Sequence, residues 1–453
     1  MSGSAAMENT EAKGNAEEVM PAGAGPEEII EKRRRHLLPW TRHFYSSPPL
    51  IVRGEMQHLF DHGGKRYLDF FAGVAVMNLG HSHAAVAEAA RAAAQTLQHT
   101  TTIYLTRPIA DLAEALARVA PPGLTQSFFT TSGSEANEAA ALLASHATGR
   151  SELLALEGAL HGRTKLCMSL TGLSFWRSDR SPVGGIARAP APYCYRCPFG
   201  RTHPSCDLAC ARALDGVLRS STSGEPAALF VEPIQGNGGI IDPPEGYFPM
   251  VKEILDRHGA LLIADEVQTG FGRTGRFFAM EHFGVVPDLM TVAKALGNGY
   301  PIGAVITRPD IASRSPRPGA STLGGSPLTA AVALAVVETH RREGLAERAA
   351  RLGDILKGRL RELASRYPLL GDVRGRGLML GVELVRPGKV PAVEETDVLL
   401  ERMKDRGVLI GKTGRDRNVL TFQPPLIIDE TDIDETLEAL EQSLAAIGAR
   451  EGA

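Results

Sequence analysis

The chain has 453 residues, of which 43% are hydrophobic and 22% are charged, and its formal net charge at pH 7 is −3. This length is enough for a large core and favours two subdomains, and the composition is that of an ordinary globular protein. The lack of a basic surplus argues against nucleic-acid binding. We find no apolar run of transmembrane length and no signal peptide, so we expect no membrane partner and a cytoplasmic location.

Composition separates an N-terminal tail from the rest of the chain. Residues 1–26 are small, polar and acidic. Such a segment cannot bury enough surface to offset its ordering entropy, so it is predicted to be a disordered tail. From about residue 50 onward, short apolar runs alternate with helical patterns, which predicts an α/β fold with a largely parallel sheet.

The stretch SFFTTSGSEANEAAALLASHATG, which begins at Ser127, predicts a strand, a glycine turn and a helix. Gly133 permits the tight turn, and apolar residues then recur at helical spacing. Backbone N–H groups at the helix start, with the Ser134 hydroxyl, would make a seat for a phosphate group. A plain helix cap is the alternative explanation for the same serine.

Two apolar runs end in residues of opposite charge. Asp265 ends ALLIAD, and Lys294 follows LMTVA. The carboxyl ends of such strands are where open α/β sheets build their sites. A structural salt bridge or a lysine that reaches solvent would explain each residue alone. Together they suit pyridoxal phosphate, since the lysine can bond the cofactor covalently while the acid keeps its pyridine nitrogen protonated.

At this point the chain resembles the class III aminotransferases, which are fold type I pyridoxal-phosphate enzymes, over roughly residues 35–445. The branch it is most similar to contains alanine–glyoxylate aminotransferase 2 and the phospho-amine lyases. The resemblance is carried, in chain order, by the motifs GGKRYLDFFAGVAVMNLGHSH, TTSGSEANEAA, LFVEPIQGNGG, LLIADEVQTGFGRTG, VAKALGNGYPIGAV, STLGGSP and GDVRGRGLMLGVEL.

The resemblance implies a large domain, whose mostly parallel seven-stranded sheet lies between helices, and a smaller α+β domain. The implied division is residues 27–75 for the N-terminal segment of the small domain, 76–327 for the large cofactor-binding domain, with an insertion at 190–212, and 328–450 for the C-terminal small domain. A homodimer with a shared active site is the expected assembly.

The resemblance also implies residue roles. Lys294 would bond the cofactor and carry the proton between substrate and cofactor carbons, and Asp265 would pair with the pyridinium nitrogen. Thr322, with Ser321 beside it, would reach the phosphate from a second subunit. The complete set of residues implied to bind the cofactor is Gly133, Ser134, Leu160, His161, Glu232, Asp265, Val267, Gln268, Lys294, Ser321 and Thr322.

Three positions depart from the family pattern. Leu160 stands where an aromatic residue usually covers the cofactor ring. Neutral drift, with another side chain covering the ring instead, would also explain this leucine. Thr421 stands where an arginine usually binds an α-carboxylate, and Asn237 where some ω-amino-acid members have a glutamate. A hydroxyl cannot replace a bidentate arginine. The substrate therefore lacks an α-carboxylate or uses another cation, for which Arg163, Lys412, Arg415 and Arg417 are candidates.

Four cysteines fall within residues 194–210, with the spacing C-x2-C-x8-C-x3-C. A structural zinc site is one interpretation, since four thiolates can hold the metal in a tetrahedron. Plain buried thiols and redox pairing are the alternatives. Cys167 stands apart and is predicted to lie in the core. The proposed ligands are Cys194, Cys197, Cys206 and Cys210.

The leading functional hypothesis is an aminotransferase that moves an amino group from an amine or ω-amino compound to a 2-oxo acid such as pyruvate. A pyridoxal-phosphate lyase acting on a phosphorylated or phosphonate-bearing amine is the second, because elimination needs the same cofactor and base. A racemase or epimerase is the third. A non-catalytic binding protein is disfavoured, since Lys294 and Asp265 are both present.

Overall fold

The computed structural model describes residues 25–448. The strands in this part of the chain are β1 (Ile51–Glu55), β2 (His58–Asp61), β3 (Arg66–Asp69), β4 (Gln126–Thr130), β5 (Leu153–Leu156), β6 (Ile186–Ala189), β7 (Ala228–Val231), β8 (Leu261–Asp265), β9 (Leu289–Val292), β10 (Gly303–Thr307), β11 (Leu370–Arg376), β12 (Met379–Arg386), β13 (Val390–Pro391), β14 (Val408–Leu409), β15 (Gly411–Thr413) and β16 (Val419–Phe422).

The helices connect these strands and cover the sheets. They are α1 (Pro26–His36), α2 (Ala72–Ala75), α3 (Ala84–Thr96), α4 (Arg107–Val119), α5 (Gly133–Thr148), α6 (Lys165–Leu170), α7 (Ala209–Ser221), α8 (Tyr247–His258), α9 (Pro309–Ala312), α10 (Pro327–Arg342), α11 (Leu345–Arg366), α12 (Val393–Asp405) and α13 (Glu430–Ala446). In the range 25–448, none of the helices combines the length and the apolar character that crossing a bilayer requires.

The central sheet has seven strands in the order β4-β10-β9-β8-β7-β5-β6. Pairing is parallel from β9 through β8, β7 and β5 to β6, whereas β10 is antiparallel to both of its neighbours. The predicted α/β fold, with a mostly parallel seven-stranded sheet, is confirmed.

Side chains alternate between the two faces of this sheet. On β5, Leu153 packs in the same apolar cluster as α5, whereas Leu154 packs with α7 and α8. The same alternation holds on β7, where Phe230 faces α5 and Leu229 faces α7 and α8. Helices cover both faces of this sheet, so the sequences of its strands are continuous apolar runs.

The smaller sheets join the two ends of the chain. One has the order β1-β2-β3-β14, in which β14 is parallel to β3, and the other has the order β11-β12-β16-β15, with β13 on β12. An N-terminal segment therefore shares a sheet with residues some 340 positions later, Leu68 pairing with Val408. The predicted domain boundaries stay predictions, and the predicted tail lies outside the described residues except for Gly25 and Pro26, where α1 begins.

Helix α11 shows how tightly the small domain is packed. Its buried leucines recur every three or four residues, at 352, 356, 360 and 363, which places them on one face. Gly353 lies on that face, and a Cβ atom there would stand 2.2 Å from the carbonyl oxygen of Gly377. Gly358 lies on the exposed side of the same helix, where a Cβ atom would meet nothing within 4 Å.

Glu266 directly follows β8 and is fully buried. Its carboxylate accepts a hydrogen bond from the Met280 N–H at 2.8 Å and one from the Thr269 hydroxyl, so it holds the segment after β8 against residues 279–283. Burial raises the pKa of Glu266 to about 7, because the two hydrogen bonds offset only part of the desolvation of its charge.

The two glycines of α11 predict opposite effects of one substitution. Gly353→Ala should lower the apparent melting temperature, since helix and Gly377 must move apart. Gly358→Ala should raise it, because alanine in an exposed helix interior is about 0.5–1 kcal/mol better than glycine. Scanning calorimetry of both variants tests this, and a Gly353→Ala protein as stable as Gly358→Ala would contradict the packing described.

Glu266 predicts a pH dependence of stability. Its folded pKa of about 7 exceeds the ordinary value of 4.5, so the unfolded chain ionises first and the free energy of unfolding falls as pH rises between those values. The loss is at most roughly 3 kcal/mol. Glu266→Gln removes this pH-dependent loss of stability. The difference in melting temperature between parent and variant, taken as parent minus variant, should therefore decrease from about pH 5 to about pH 8. An unchanged difference would contradict this, and the exposed Glu347→Gln serves as control.

Candidate active site

A cavity of about 370 Å³ opens where strands β4, β5, β7, β8 and β9 end. This is the carboxyl edge of the parallel strands, the place where such sheets bind ligands. Most of the residues predicted from the sequence meet there. The predicted residues that line the cavity are Gly133, Ser134, Leu160, His161, Glu232, Asn237, Asp265, Val267, Gln268 and Lys294.

Asp265 is the last residue of β8 and is buried. Its Oδ2 atom accepts hydrogen bonds from Asn137 Nδ2 and His161 Nδ1, both at 2.8 Å, and its Oδ1 atom accepts one from the Val267 N–H at 3.1 Å. Three donors compensate a carboxylate that would otherwise be costly to bury. The acid is therefore fixed in position with its remaining acceptor capacity toward the cavity.

Asn137 is a site residue that the sequence reasoning missed. Besides Asp265, its Nδ2 atom donates to the carbonyl of His161 at 2.7 Å, and its Oδ1 atom accepts from the Thr291 hydroxyl at 2.7 Å. Asn137 comes four residues after Gly133 on α5, so it shares the helix face that begins at the predicted phosphate seat. That spacing is the signal that could have found it.

Lys294 follows β9 in a left-handed backbone conformation, with φ at 47°, and lines the cavity. No carboxylate within residues 25–448 lies in ion-pair contact with its amine, whereas Asp265 itself contacts the His161 ring at 2.8 Å. Burial lowers the pKa of Lys294, and the negative charges of Asp265 and Glu232 counteract part of that effect. A lowered pKa increases the fraction of unprotonated amine, which is the nucleophilic form.

The start of α5 has free donors toward the cavity. The helix cap is Ser132, whose hydroxyl accepts from the Glu135 N–H at 3.2 Å, so Ser134 is not the cap that the alternative explanation assumed. The first N–H groups of a helix have no partner inside it. Ser134 Oγ accepts from the Arg163 N–H at 2.9 Å and keeps its own proton to donate. This edge of the cavity can hold a phosphate group.

Glu232 connects two loops at the cavity wall. Its carboxylate accepts from the Leu160 N–H at 2.8 Å and from the Gly236 N–H at 2.9 Å. Burial raises the pKa of Glu232 to about 7, and the nearby His161 counteracts part of this. The side chain therefore fixes the position of Leu160, one of the three residues that depart from the family pattern.

Val267 and Gln268 form another part of the cavity wall. A Cβ atom at Gly133 would lie 2.9 Å from a methyl carbon of Val267, so only glycine lets the helix start approach this valine. Gln268 Nε2 donates to Gln423 Oε1 at 3.1 Å, which ties the wall to the C-terminal segment.

Apart from the cysteines, seven residues named from the sequence lie outside the cavity lining: Arg163, Ser321, Thr322, Lys412, Arg415, Arg417 and Thr421. Ser321 Oγ donates to Glu135 Oε1 at 2.8 Å, and Thr322 beside it is exposed. Thr421 is buried in β16. Arg163 is exposed, with its guanidinium 5.4 Å from the ring of Trp176.

The predicted zinc site is wrong. Over residues 25–448, no three His, Cys, Asp or Glu side chains are placed so that they could hold a metal ion. Cys206 and Cys210 are buried, whereas Cys194 is exposed, and all remain free thiols. Burial raises the pKa of Cys210 to about 11, because an apolar environment disfavours the charged thiolate. Cys167 is buried, as predicted.

The residues present suit pyridoxal phosphate. Lys294 supplies an amine that is free of ion pairs, Asp265 supplies a buried carboxylate, and the start of α5 supplies donors for a phosphate. These are the three separate requirements of that cofactor.

Comparisons with known proteins agree with this assignment of cofactor-binding residues. The family model described as aminotransferase class-III matches residues 44–444. The chain is similar to alanine–glyoxylate aminotransferase 2 homolog 2, mitochondrial, of Arabidopsis thaliana, with 42% identity over 93% of this chain and 88% of that protein. It is 40% identical to the leucine/methionine racemase of Thermococcus litoralis, over 93% of this chain and 96% of that protein.

A solved structure shows the same likeness in three dimensions. The phospholyase from Arthrobacter in complex with phosphoethanolamine is 31% identical, with a TM-score of 0.85 over 92% of this chain and 99% of that one. The match of the family model to nearly the whole described chain, with the lysine, the carboxylate and the helix start in one cavity, leads to one conclusion: the chain belongs to the class III aminotransferases, which use pyridoxal phosphate.

Proposed function

We propose that this enzyme transfers an amino group from an amine or ω-amino compound to a 2-oxo acid such as pyruvate. The observation that carries the proposal is the placement of Lys294 and Asp265 in one cavity. When bound, the cofactor supplies an electron-withdrawing ring that stabilises negative charge on the substrate carbon beside the nitrogen.

The residues of the chain have distinct parts in this proposal. Lys294 would bond the cofactor and would move the proton at the reacting carbon, since its lowered pKa favours the unprotonated amine. Asp265, held by Asn137 and His161, would keep the pyridine nitrogen protonated. Ser134 and the first N–H groups of α5 would bind the phosphate.

The charges of the cavity support an amine donor without an α-carboxylate. Among the described residues that line it, Lys294 is the one lysine or arginine, whereas Glu232 and Asp265 contribute carboxylates. Thr421 lies in β16 outside the lining, so it offers the substrate no replacement for an arginine. A neutral or ω-amino compound would avoid placing a carboxylate beside two acids.

Elimination from a phosphorylated amine is the second candidate. The likeness to the Arthrobacter phospholyase supports it, and the reaction uses the same base and cofactor. Racemisation is the third, supported by the Thermococcus litoralis relative.

The proposal includes a homodimer with a shared active site. Thr322 is exposed and lies outside the cavity of its own chain, as a residue that serves a second subunit must. The segment Ile103–Leu105 is strongly exposed although it is apolar, at 84% for Ile103 and 104% for Leu105. A second copy of the chain would cover such a surface. The predicted cytoplasmic location stays a prediction, which cell fractionation would test.

The three candidate reactions predict different products. Holoenzyme mixed with single amines, without an oxo acid, should convert its cofactor to the amine form in one half-turnover and then stop until pyruvate is added. Absorbance spectra, ammonia and phosphate are followed together. Sustained release of ammonia, with phosphate from a phospho-amine, would replace this proposal by the lyase, and loss of optical rotation without either product would replace it by the racemase.

Lys294→Ala is the matched variant for that assay. It should abolish multiple turnover while leaving the circular dichroism spectrum unchanged, because no other amine lines the cavity among residues 25–448. The exposed Lys32→Ala serves as control. Near-normal turnover by Lys294→Ala would refute the proposed site.

If residues 103–105 lie in the dimer interface, a charge introduced there should weaken the dimer. Leu105→Asp should shift the protein toward a monomer in light scattering and weaken its retention of cofactor, since the aspartates would be buried unpaired at the interface. Val390→Asp, a comparable change at a residue 51% exposed on β13, should leave both unchanged. A monomeric parent protein, or a Leu105→Asp variant that assembles like the parent, would contradict this interface.

A further inference from the structure

A second cleft, of about 870 Å³, lies between the segment that follows β8 and helix α11. One wall consists of residues 274–282, and the other comes from α11 and from the turn between β11 and β12. The residues that line this cleft are all different from those that line the cofactor cavity. The first wall nevertheless belongs to the segment that starts at Asp265 and passes through Gln268. The cleft therefore lies at the far end of a segment that builds the active site.

The two walls meet backbone to backbone at glycine positions of the lining. A Cβ atom on Gly275 would lie 2.9 Å from the Cβ atom of Ala350. A Cβ atom on Gly377 would lie 2.4 Å from the carbonyl carbon of Thr274. These distances leave no room for a side chain between the walls. The open space beside this contact is therefore bordered by the longer side chains of the lining.

The lining is positively charged, although the whole chain has a formal net charge of −3. Five lysines and arginines line the cleft together with three carboxylates, which gives the lining a formal charge of +2. The cations are Arg276, Arg341, Arg351, Lys357 and Arg376, and the acids are Glu281, Glu347 and Asp354. A concave surface with an excess of one charge concentrates ions of the opposite sign.

Two of these cations, Arg276 and Lys357, have no carboxylate in ion-pair contact within residues 25–448. Arg276 is exposed, and no hydrogen bond to another described residue involves its side chain. Lys357 is half-buried and donates to the uncharged carbonyl of Gly375 at 2.7 Å. Arg376 donates through Nε to Asp242 at 2.8 Å, and its two terminal nitrogens have no partner in the same range. All three side chains keep N–H donors available for an anion.

The cations are close enough to influence one another. Burial lowers the pKa of His282, and the positive charges of Arg376 and Arg276 lower it further. Burial also lowers the pKa of Lys357, where Asp242 counteracts part of the effect and Arg376 adds to it. Like charges at such short range repel, so an anion bound among them would stabilise the arrangement.

The imidazole of His340 adds a polar group to the lining. Its exposed fraction is 3%, and its ring centre lies 6.2 Å from those of Phe271 and Phe277. Burial lowers the pKa of His340 to about 3, so the ring is neutral at pH 7. Neither ring nitrogen has a hydrogen-bond partner within residues 25–448. Buried polar atoms are rarely left unpaired, and a polar group held deep in the cleft would satisfy one of them.

We infer that this cleft binds a phosphate group, either as the free ion or as part of a phosphorylated small molecule, through Arg276, Lys357 and Arg376. Phosphate fits three such donors because it carries up to two charges and several acceptor oxygens, more than a carboxylate offers. The volume is in the usual range of small-molecule sites. This site is separate from the start of α5, and the inference goes beyond the proposed function.

Calorimetric titration of the holoenzyme with inorganic phosphate and with adenosine 5′-monophosphate tests the inference. Arg276→Ala should weaken the binding of both probes roughly tenfold or more, since a charge-assisted hydrogen bond is lost. The melting temperature without phosphate should stay unchanged, because Arg276 has no protein partner to lose. Asp354→Asn should strengthen the binding of both probes, because it removes a negative charge from the lining.

Arg359→Ala is the matched control. This arginine lies on α11 two residues after Lys357, pairs with Asp434 and is outside the lining. The control variant should bind both probes like the parent protein. Tighter binding of adenosine 5′-monophosphate than of phosphate assigns the cleft to a phosphorylated molecule, and equal binding assigns it to the free ion. No binding by the parent, or equal affinity in Arg276→Ala and Arg359→Ala, would overturn the inference. The titration needs no turnover, so its result is independent of the proposed function.

Discussion

The buried carboxylate of Asp265 is the constraint on which the site depends. An ionised carboxylate away from water is costly unless donors satisfy it, and this one receives bonds from Asn137, His161 and the Val267 N–H. Those donors come from α5, from the loop after β5 and from the segment after β8. Asn137 also binds Thr291 on the strand before Lys294. Compensating one charge therefore aligns the start of α5, the loop after β5 and the strand that leads to Lys294.

The outer part of the cavity is built differently, by bonds between segments far apart in the chain. Gln268 donates to Gln423, and Arg273, which is fully buried, donates to the carbonyls of Leu378 and Pro424 and to Asn78. The small-domain sheets thus sit against the large sheet through a few polar contacts in an otherwise apolar core.

This division explains why related enzymes with one cofactor can carry out different reactions. The cofactor side of the cavity is fixed by the large sheet and its buried polar bonds, so its chemistry is constrained. The substrate side includes loop residues such as Leu160 and Asn237, which can change without disturbing that network. Here Glu232 bridges the two sides, since it binds the N–H groups of both Leu160 and Gly236.

The sequence by itself determined the α/β fold, the ends of β8 and β9, and the placement of Asp265 and Lys294 in one site, because apolar runs and strand ends are local patterns. It could not assign the cap of α5 to Ser132 or find the bonds of Asn137, since those depend on side-chain directions. It also suggested a metal at four cysteines, which the fold does not bring together in a group that could hold one among the described residues. Arg417 shows the limit most clearly: the sequence names it only as one of four candidate cations, and only the tertiary structure brings Phe44 and Phe175 to its guanidinium group, from hundreds of residues away.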